Sequence, residues 1–193
     1  DFRSLWAGVA QADSIVFNPH KWMGAQSEFS AHFLRNPTDL VQTLAIKPEY
    51  LKTYGHDGVI NYSEWSISLG RRFRALKIWF LLRYYGLEGL RQRIRNHIAW
   101  AEKLAEKIRA TDGFEIASEP VLSLFSFRYL RGDDLDDLNQ RLVDRINDAG
   151  RIYLTQTNLD GRRVIRFQAG QFDCTEADVM AAYDAITEAA QEL

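Results

Sequence analysis

Lys21 stands directly behind His20 in the stretch Asn18-Pro19-His20-Lys21, which follows the apolar run Ser14-Ile15-Val16-Phe17. The run reads as a buried strand, and the residue before a proline is pushed out of the α region, so the strand ends at Asn18. A lysine at a buried strand end is costly unless something uses it. Desolvation weakens its preference for the charged form, and its neutral amine can then attack an aldehyde to form a Schiff base. The commonest protein use of such a lysine is to hold pyridoxal 5′-phosphate (PLP). His20 suits the cofactor's phosphate or ring oxygen, and Asn18 offers an amide donor at the same strand end. On these four residues alone, a surface lysine after a proline turn is an equally open reading.

The chain around this stretch has 193 residues, 46% hydrophobic and 26% charged, an ordinary globular composition with room for one domain or a domain and a half. A net charge of −2 gives no electrostatic case for nucleic acid or an anionic membrane. The apolar cluster at 78–82 is too short to span a bilayer. A single cysteine, Cys174, cannot form an internal disulfide, so a reducing, cytoplasmic compartment is expected. The chain opens on Asp-Phe-Arg-Ser-Leu-Trp, with neither an initiator methionine nor the basic start of a signal peptide, and so reads as a piece of something longer. No His, Cys and Asp spacing suggests a metal site.

The elements that must position these residues are legible in outline. Residues 29–34 read as a second strand, closed by Asn36-Pro37. Residues 43–62 show no sustained period and read as a long loop, a length that usually carries function or disorder. Residues 71–86 read as a helix ending at Gly86. Leu87, Leu90, Ile94, Ile98, Ala101, Leu104 and Ile108 then mark a long amphipathic helix, ended by Asp112-Gly113. From about 114 onward the pattern is β-β-α-β-β-α, a small α+β domain with helices on one face of a mostly antiparallel sheet. Asn158-Leu-Asp-Gly161 is a hairpin signature, and Thr175 with Asp178 a capping-box-like pair.

The segment from Ala12 to Gly24 resembles the cofactor-lysine segment of the group II PLP-dependent amino-acid decarboxylases. Residues 47–52, 68–90 and 164–170 resemble further blocks of that family, in its order and spacing, and are most similar to its aromatic L-amino-acid branch. The resemblance covers essentially the whole chain. It implies an α/β protein of the PLP-dependent transferase fold type I. Residues 1–66 would be the end of the large PLP-binding domain with its mobile loop, 67–113 connecting helices, and 114–193 the small α+β carboxyl-terminal domain. It implies decarboxylation of an L-amino acid, aromatic by preference, to the amine and CO₂. It implies a homodimer, and an amino-terminal part of the same enzyme outside this chain. Lys21 would be the Schiff-base lysine, with His20 and Asn18 near the phosphate. Tyr50 matches the general acid of decarboxylating members, where aldehyde-forming relatives carry phenylalanine. Leu69 and Gly70 match a turn that reaches the partner subunit's phosphate.

Two departures shape the expectations. Gln26-Ser27-Glu28-Phe29 replaces the usual run after the lysine, so Ser27 stands where an aromatic residue lines the substrate pocket. That keeps a non-aromatic substrate, such as glutamate or diaminobutyrate, as the alternative, alongside a non-catalytic fragment of such an enzyme. The carboxylate and the flat group that PLP's ring needs belong upstream of the residues present, and Asp13 reads as a strand-entry residue. His32 is expected to be packed or partly exposed in its strand, His97 solvent-facing, and His56 in the loop a possible substrate contact. Arg71, Arg72 and Arg74 read as hydrogen-bonding residues around a helix start and a subunit contact, and Trp79, Phe80, Tyr84 and Tyr85 as packing residues.

Overall fold

The run Ser14–Phe17 forms strand β1, and it pairs antiparallel with β2, Ala31–Leu34, placing Ile15 opposite Phe33 and Phe17 opposite Ala31. The computed structural model describes residues 2–46 and 60–193. They fall into two compact units, Asp1–Arg83 and Tyr84–Leu193. Tyr50, His56 and most of the expected loop lie outside the described residues.

The first unit departs from expectation in three ways. β1 is not buried: Val16 is 57% and Phe17 39% exposed. Among the described residues no second sheet covers this ribbon of two four-residue strands, and Phe17 stacks diagonally on Phe33 with ring centroids 6.2 Å apart. Next, Asn36-Pro37 starts a helix as well as closing the strand. In α1, Pro37–Leu44, the Asn36 side chain accepts from the Thr38 amide at 3.1 Å and proline takes the first turn. Finally, the following helix, α2 (Ala75–Arg109), opens at Ala75. Leu69-Gly70 therefore lies in an irregular stretch ahead of it. Trp79 and Phe80 are more than half exposed, and Tyr84, opening the second unit, is 81% exposed. Apolar side chains occupy Leu76 and every position from Ile78 to Leu82, so this segment has no polar face to turn outward and cannot bury them all.

Gly86 interrupts α2 with φ 68° and ψ 167°, a conformation that needs glycine, at the position where the sequence pattern stops. Beyond it Leu90, Ile98, Ala101, Leu104 and Ile108 are buried as their spacing requires, while Leu87 is 55% exposed. His97 is fully buried, not solvent-facing. It lies seven residues after Leu90 and four before Ala101, squarely on the apolar stripe.

The second unit builds its own core. Strands β3 (Phe114–Val121), β4 (Leu124–Tyr129), β5 (Thr155–Leu159) and β6 (Arg162–Gln168) form an antiparallel sheet in the order β3-β4-β6-β5. Phe125 and Phe127 of β4 face Phe167 and Ile165 of β6 across the ladder. They pack with Leu104 and Ile108 of α2, Leu142 and Ile146 of α3 (Leu135–Asp148), and Ile186 of α4 (Glu176–Gln191). β5 and β6 are joined at Asp160-Gly161, both with positive φ, as a two-residue primed turn requires. Thr175 and Asp178 close a reciprocal capping box on α4. Buried Asn139 ties α3 to the end of β4, accepting from the Tyr129 amide and donating to its carbonyl, both at 2.8 Å. Among the described residues no helix is long and apolar enough to cross a membrane.

Burial pushes the His97 imidazole below its ordinary value of 6.5, and the Arg93 charge pushes the same way. The unfolded chain protonates this histidine near its ordinary value while the folded chain resists, so its contribution is complete above about pH 6.5 and is lost as pH falls through it. Denaturant unfolding from about pH 7.5 to about pH 5.5 should show stability falling toward acid, and His97→Gln should flatten that slope.

Candidate active site

Lys21 sits in a chain reversal that follows β1 at once, and backbone bonds shape that reversal. The Lys21 amide donates to the Asn18 carbonyl at 3.0 Å, the Gly24 amide to the Lys21 carbonyl at 3.0 Å, and the Ala25 amide to the Pro19 carbonyl at 2.9 Å. Gly24 has φ 77°, where a side chain would strain the turn. Pro19 and Ala25 are buried beneath it.

Two side chains then tie the turn to the strand that returns. His20 Nδ1 lies 2.5 Å from the Phe29 carbonyl, a bond only an Nδ1–H can donate, and the His20 amide donates to the same oxygen at 3.3 Å. With that proton on Nδ1, the Phe29 amide 3.2 Å away cannot also donate to it, and in the neutral ring Nε2 is the acceptor. Asn18 Oδ1 accepts from the Ser30 hydroxyl at 2.5 Å, which leaves its amide hydrogens outside that bond. Asn18, His20 and Lys21 are thus held on one short arc, with Lys21 exposed. The expectation of a desolvated lysine is not met in the described residues, for the same reason that β1 is bare.

Gly70 belongs to a different surface. It lines an open cleft of about 730 Å³ with Glu28, His32, Trp65, Arg71, Arg72 and Arg74. Leu69 beside it is 64% exposed. His32 is exposed on β2. Arg74 pairs with Glu28, and that bond and charge, with lesser help from Arg72 and Lys77, hold the Glu28 carboxyl below its ordinary range. Lys77 donates to the carbonyls of Gln26, Ser27 and Glu28 at 3.1, 3.1 and 3.2 Å. Neither contact was legible in the sequence, because the partners are about fifty residues apart and share no helical or strand period.

For PLP the residues present fit on one side. An accessible primary amine stands on the same arc as an amide whose hydrogens suit a phosphate, with the His20 imidazole next to it in sequence. A carboxylate for the ring nitrogen is not supplied by Asp13, which pairs with Arg35 at 3.6 Å from the opposite end of β1, roughly 13 Å of strand away. Burial, then Asp178 and Asp173, push the Cys174 thiol up, which disfavours a thiolate nucleophile. Among the described residues no cluster of His, Cys, Asp and Glu could hold a metal.

The pyridoxal-dependent decarboxylase conserved domain matches residues 1–130. The chain belongs to the pyridoxal-dependent decarboxylase family. It is 38% identical to the aromatic-L-amino-acid decarboxylase of Mus musculus over 195 residues, covering 100% of this chain and 40% of that protein. Oryza sativa TDC, crystallised with PLP and tryptamine, superposes with a TM-score of 0.92 at 32% identity, covering 99% of this chain and 41% of that one. Rhodiola rosea 4-hydroxyphenylacetaldehyde synthase superposes with a TM-score of 0.88 at 29% identity, covering 100% and 40%. The chain therefore spans about 40% of the length of these relatives and has the α/β fold of the corresponding part of a PLP decarboxylase.

If the turn is set by its backbone, glycine substitutions should differ in sign. Gly24→Ala should lower stability by about 1–2 kcal/mol, since a Cβ disfavours positive φ. Gly89→Ala, in α2 with its nearest neighbour Tyr85 Cβ at an ordinary 3.7 Å, should raise it by about 0.5–1 kcal/mol. Chemical denaturation of both variants checks this.

Proposed function

We propose that this chain is the carboxyl-terminal part of a PLP-dependent L-amino-acid decarboxylase, with an aromatic amino acid as substrate and an amine and CO₂ as products. The carrying observation is the Asn18–Lys21 arc, held by its backbone and by the His20 and Asn18 ties, in a chain of this family. Bound PLP would supply an electron sink for the pair left on Cα when CO₂ departs. Lys21 Nζ holds the cofactor between turnovers. The Asn18 amide hydrogens would serve its phosphate, with His20 beside them. Tyr50, which lies outside the described residues, would deliver the proton to Cα. Leu69 and Gly70 reach the phosphate of a second copy in a homodimer. The exposure of Ile67 (83%), Phe73 (74%), Trp79 (53%) and Phe80 (58%) supports such a covered face.

In this reading residues 1–66 end the large domain, 67–113 connect, and 114–193 form the small domain, in a cytoplasmic enzyme whose amino-terminal part supplies the ring-nitrogen carboxylate. Ser27 in place of an aromatic residue favours a second reading, a non-aromatic amino-acid substrate, which a substrate panel decides.

Lys21→Ala in the full-length enzyme should abolish turnover and the cofactor's near-ultraviolet to violet absorbance, and borohydride reduction of the parent should fix PLP on the Lys21 peptide. Normal activity in Lys21→Ala ends the reading, and a parent that never takes up PLP favours a non-catalytic fragment. Tyr50→Phe keeps the ring and removes the proton. Amine formation should fall by about 10²–10⁴, with O₂ consumed and product diverted to aldehyde, ammonia and hydrogen peroxide, measured as amine, CO₂ and peroxide in parallel.

A further inference from the structure

The Lys77 ammonium is the centre of a clamp on the segment that follows the lysine turn. Its three hydrogens meet three successive backbone carbonyls, those of Gln26, Ser27 and Glu28, at 3.1, 3.1 and 3.2 Å. Successive carbonyls in an extended chain point to alternate sides, so three reach one cation only where the backbone curls around it. Three residues back, just ahead of α2, Arg74 pairs with the Glu28 carboxylate, giving the same segment a second anchor. The next residues, Phe29 and Ser30, are the ones that bond His20 and Asn18. A continuous series of bonds therefore runs from the start of α2 through 26–28 to the arc that carries Lys21.

We propose that Lys77 is a positioning residue. It sets the curl of 26–28, which places Ser27 against the substrate and fixes the Phe29 and Ser30 groups that orient His20 and Asn18. This rests on the decarboxylase reading for its effect on turnover, but not for its effect on the segment. A neutral side chain at 77 leaves three carbonyl dipoles facing one another without a cation, and the curl opens. Arginine keeps the charge and several donors but presents them in a planar fork.

The test uses the full-length protein with Lys77→Met and Lys77→Arg. In cofactor-free protein, hydrogen–deuterium exchange of the peptide covering 18–30 should rise in Lys77→Met and stay nearer the parent in Lys77→Arg. In the loaded enzyme, KM for the best substrate in the amino-acid panel should rise by about tenfold or more in Lys77→Met with a smaller change in kcat, as expected when a contact made equally in ground and transition state is lost. Unchanged exchange at 18–30 in Lys77→Met overturns the proposal, as does a rise spread evenly over the protein. A fall in kcat alone with KM unmoved does so too. If the parent neither takes up PLP nor turns over any amino acid, the decarboxylase reading fails, and the exchange measurement still decides the clamp.

Discussion

The Phe29 carbonyl accepts from both the backbone and the ring of His20, and this pair of hydrogen bonds closes the turn that carries Lys21. A lysine stem rotates freely, so a reactive amine is aimed mostly by the backbone that carries it. Here that backbone leaves a strand, reverses through Pro19 and Gly24, and returns to pair again. The Phe29 oxygen closes the reversal. It also selects the His20 tautomer, since only a protonated Nδ1 can donate to it. One acceptor thereby governs both where the lysine stands and which imidazole nitrogen remains for a ligand.

The two units solve their folding differently. The second encloses a core of its own, in which Phe125, Phe127, Leu104, Leu142 and Ile186 are almost fully buried. Two of its buried polar side chains are tied by directed bonds, Asn139 to both backbone groups of Tyr129 and Arg128 to Asp136 at 2.9 Å. The first unit leaves large apolar side chains uncovered, because four-residue strands and a helix start that is apolar at most positions cannot bury one another. It is held by point contacts between charged and backbone groups: Lys77 on three carbonyls, Arg74 on Glu28, Arg35 on Asp13.

The Lys77 and Arg74 contacts sit beside the turn that carries Lys21. A turn braced by directed bonds keeps its polar groups in fixed positions while leaving the lysine accessible, which a packed core would not. The same arrangement makes the turn sensitive to residues about fifty positions away, since the cation that curls 26–28 comes from α2.

What the sequence determined by itself is local or periodic. A proline after Asn18 ends β1, a glycine at 86 breaks α2, Asp160-Gly161 makes a hairpin, and Thr175 with Asp178 caps α4, because each is settled by the dihedral limits or hydrogen bonds of neighbouring residues. The β-β-α-β-β-α order of the second unit follows from hydrophobic spacing. The turn that carries Lys21 was legible because the proline that ends β1 and the residues of the turn are contiguous. Tertiary structure alone decided burial and distant pairing. His97 is polar by type yet lies on the buried stripe, and Trp79 is apolar by type yet exposed, since exposure depends on which surfaces meet and not on composition. Asn36-Pro37 was read as a stop and also serves as a start, because a cap is defined by the backbone that follows it. Lys77 and Arg74 carry no signal in the chain around them. Their carbonyl and carboxylate partners come within reach only when the fold brings 26–28 to the start of α2.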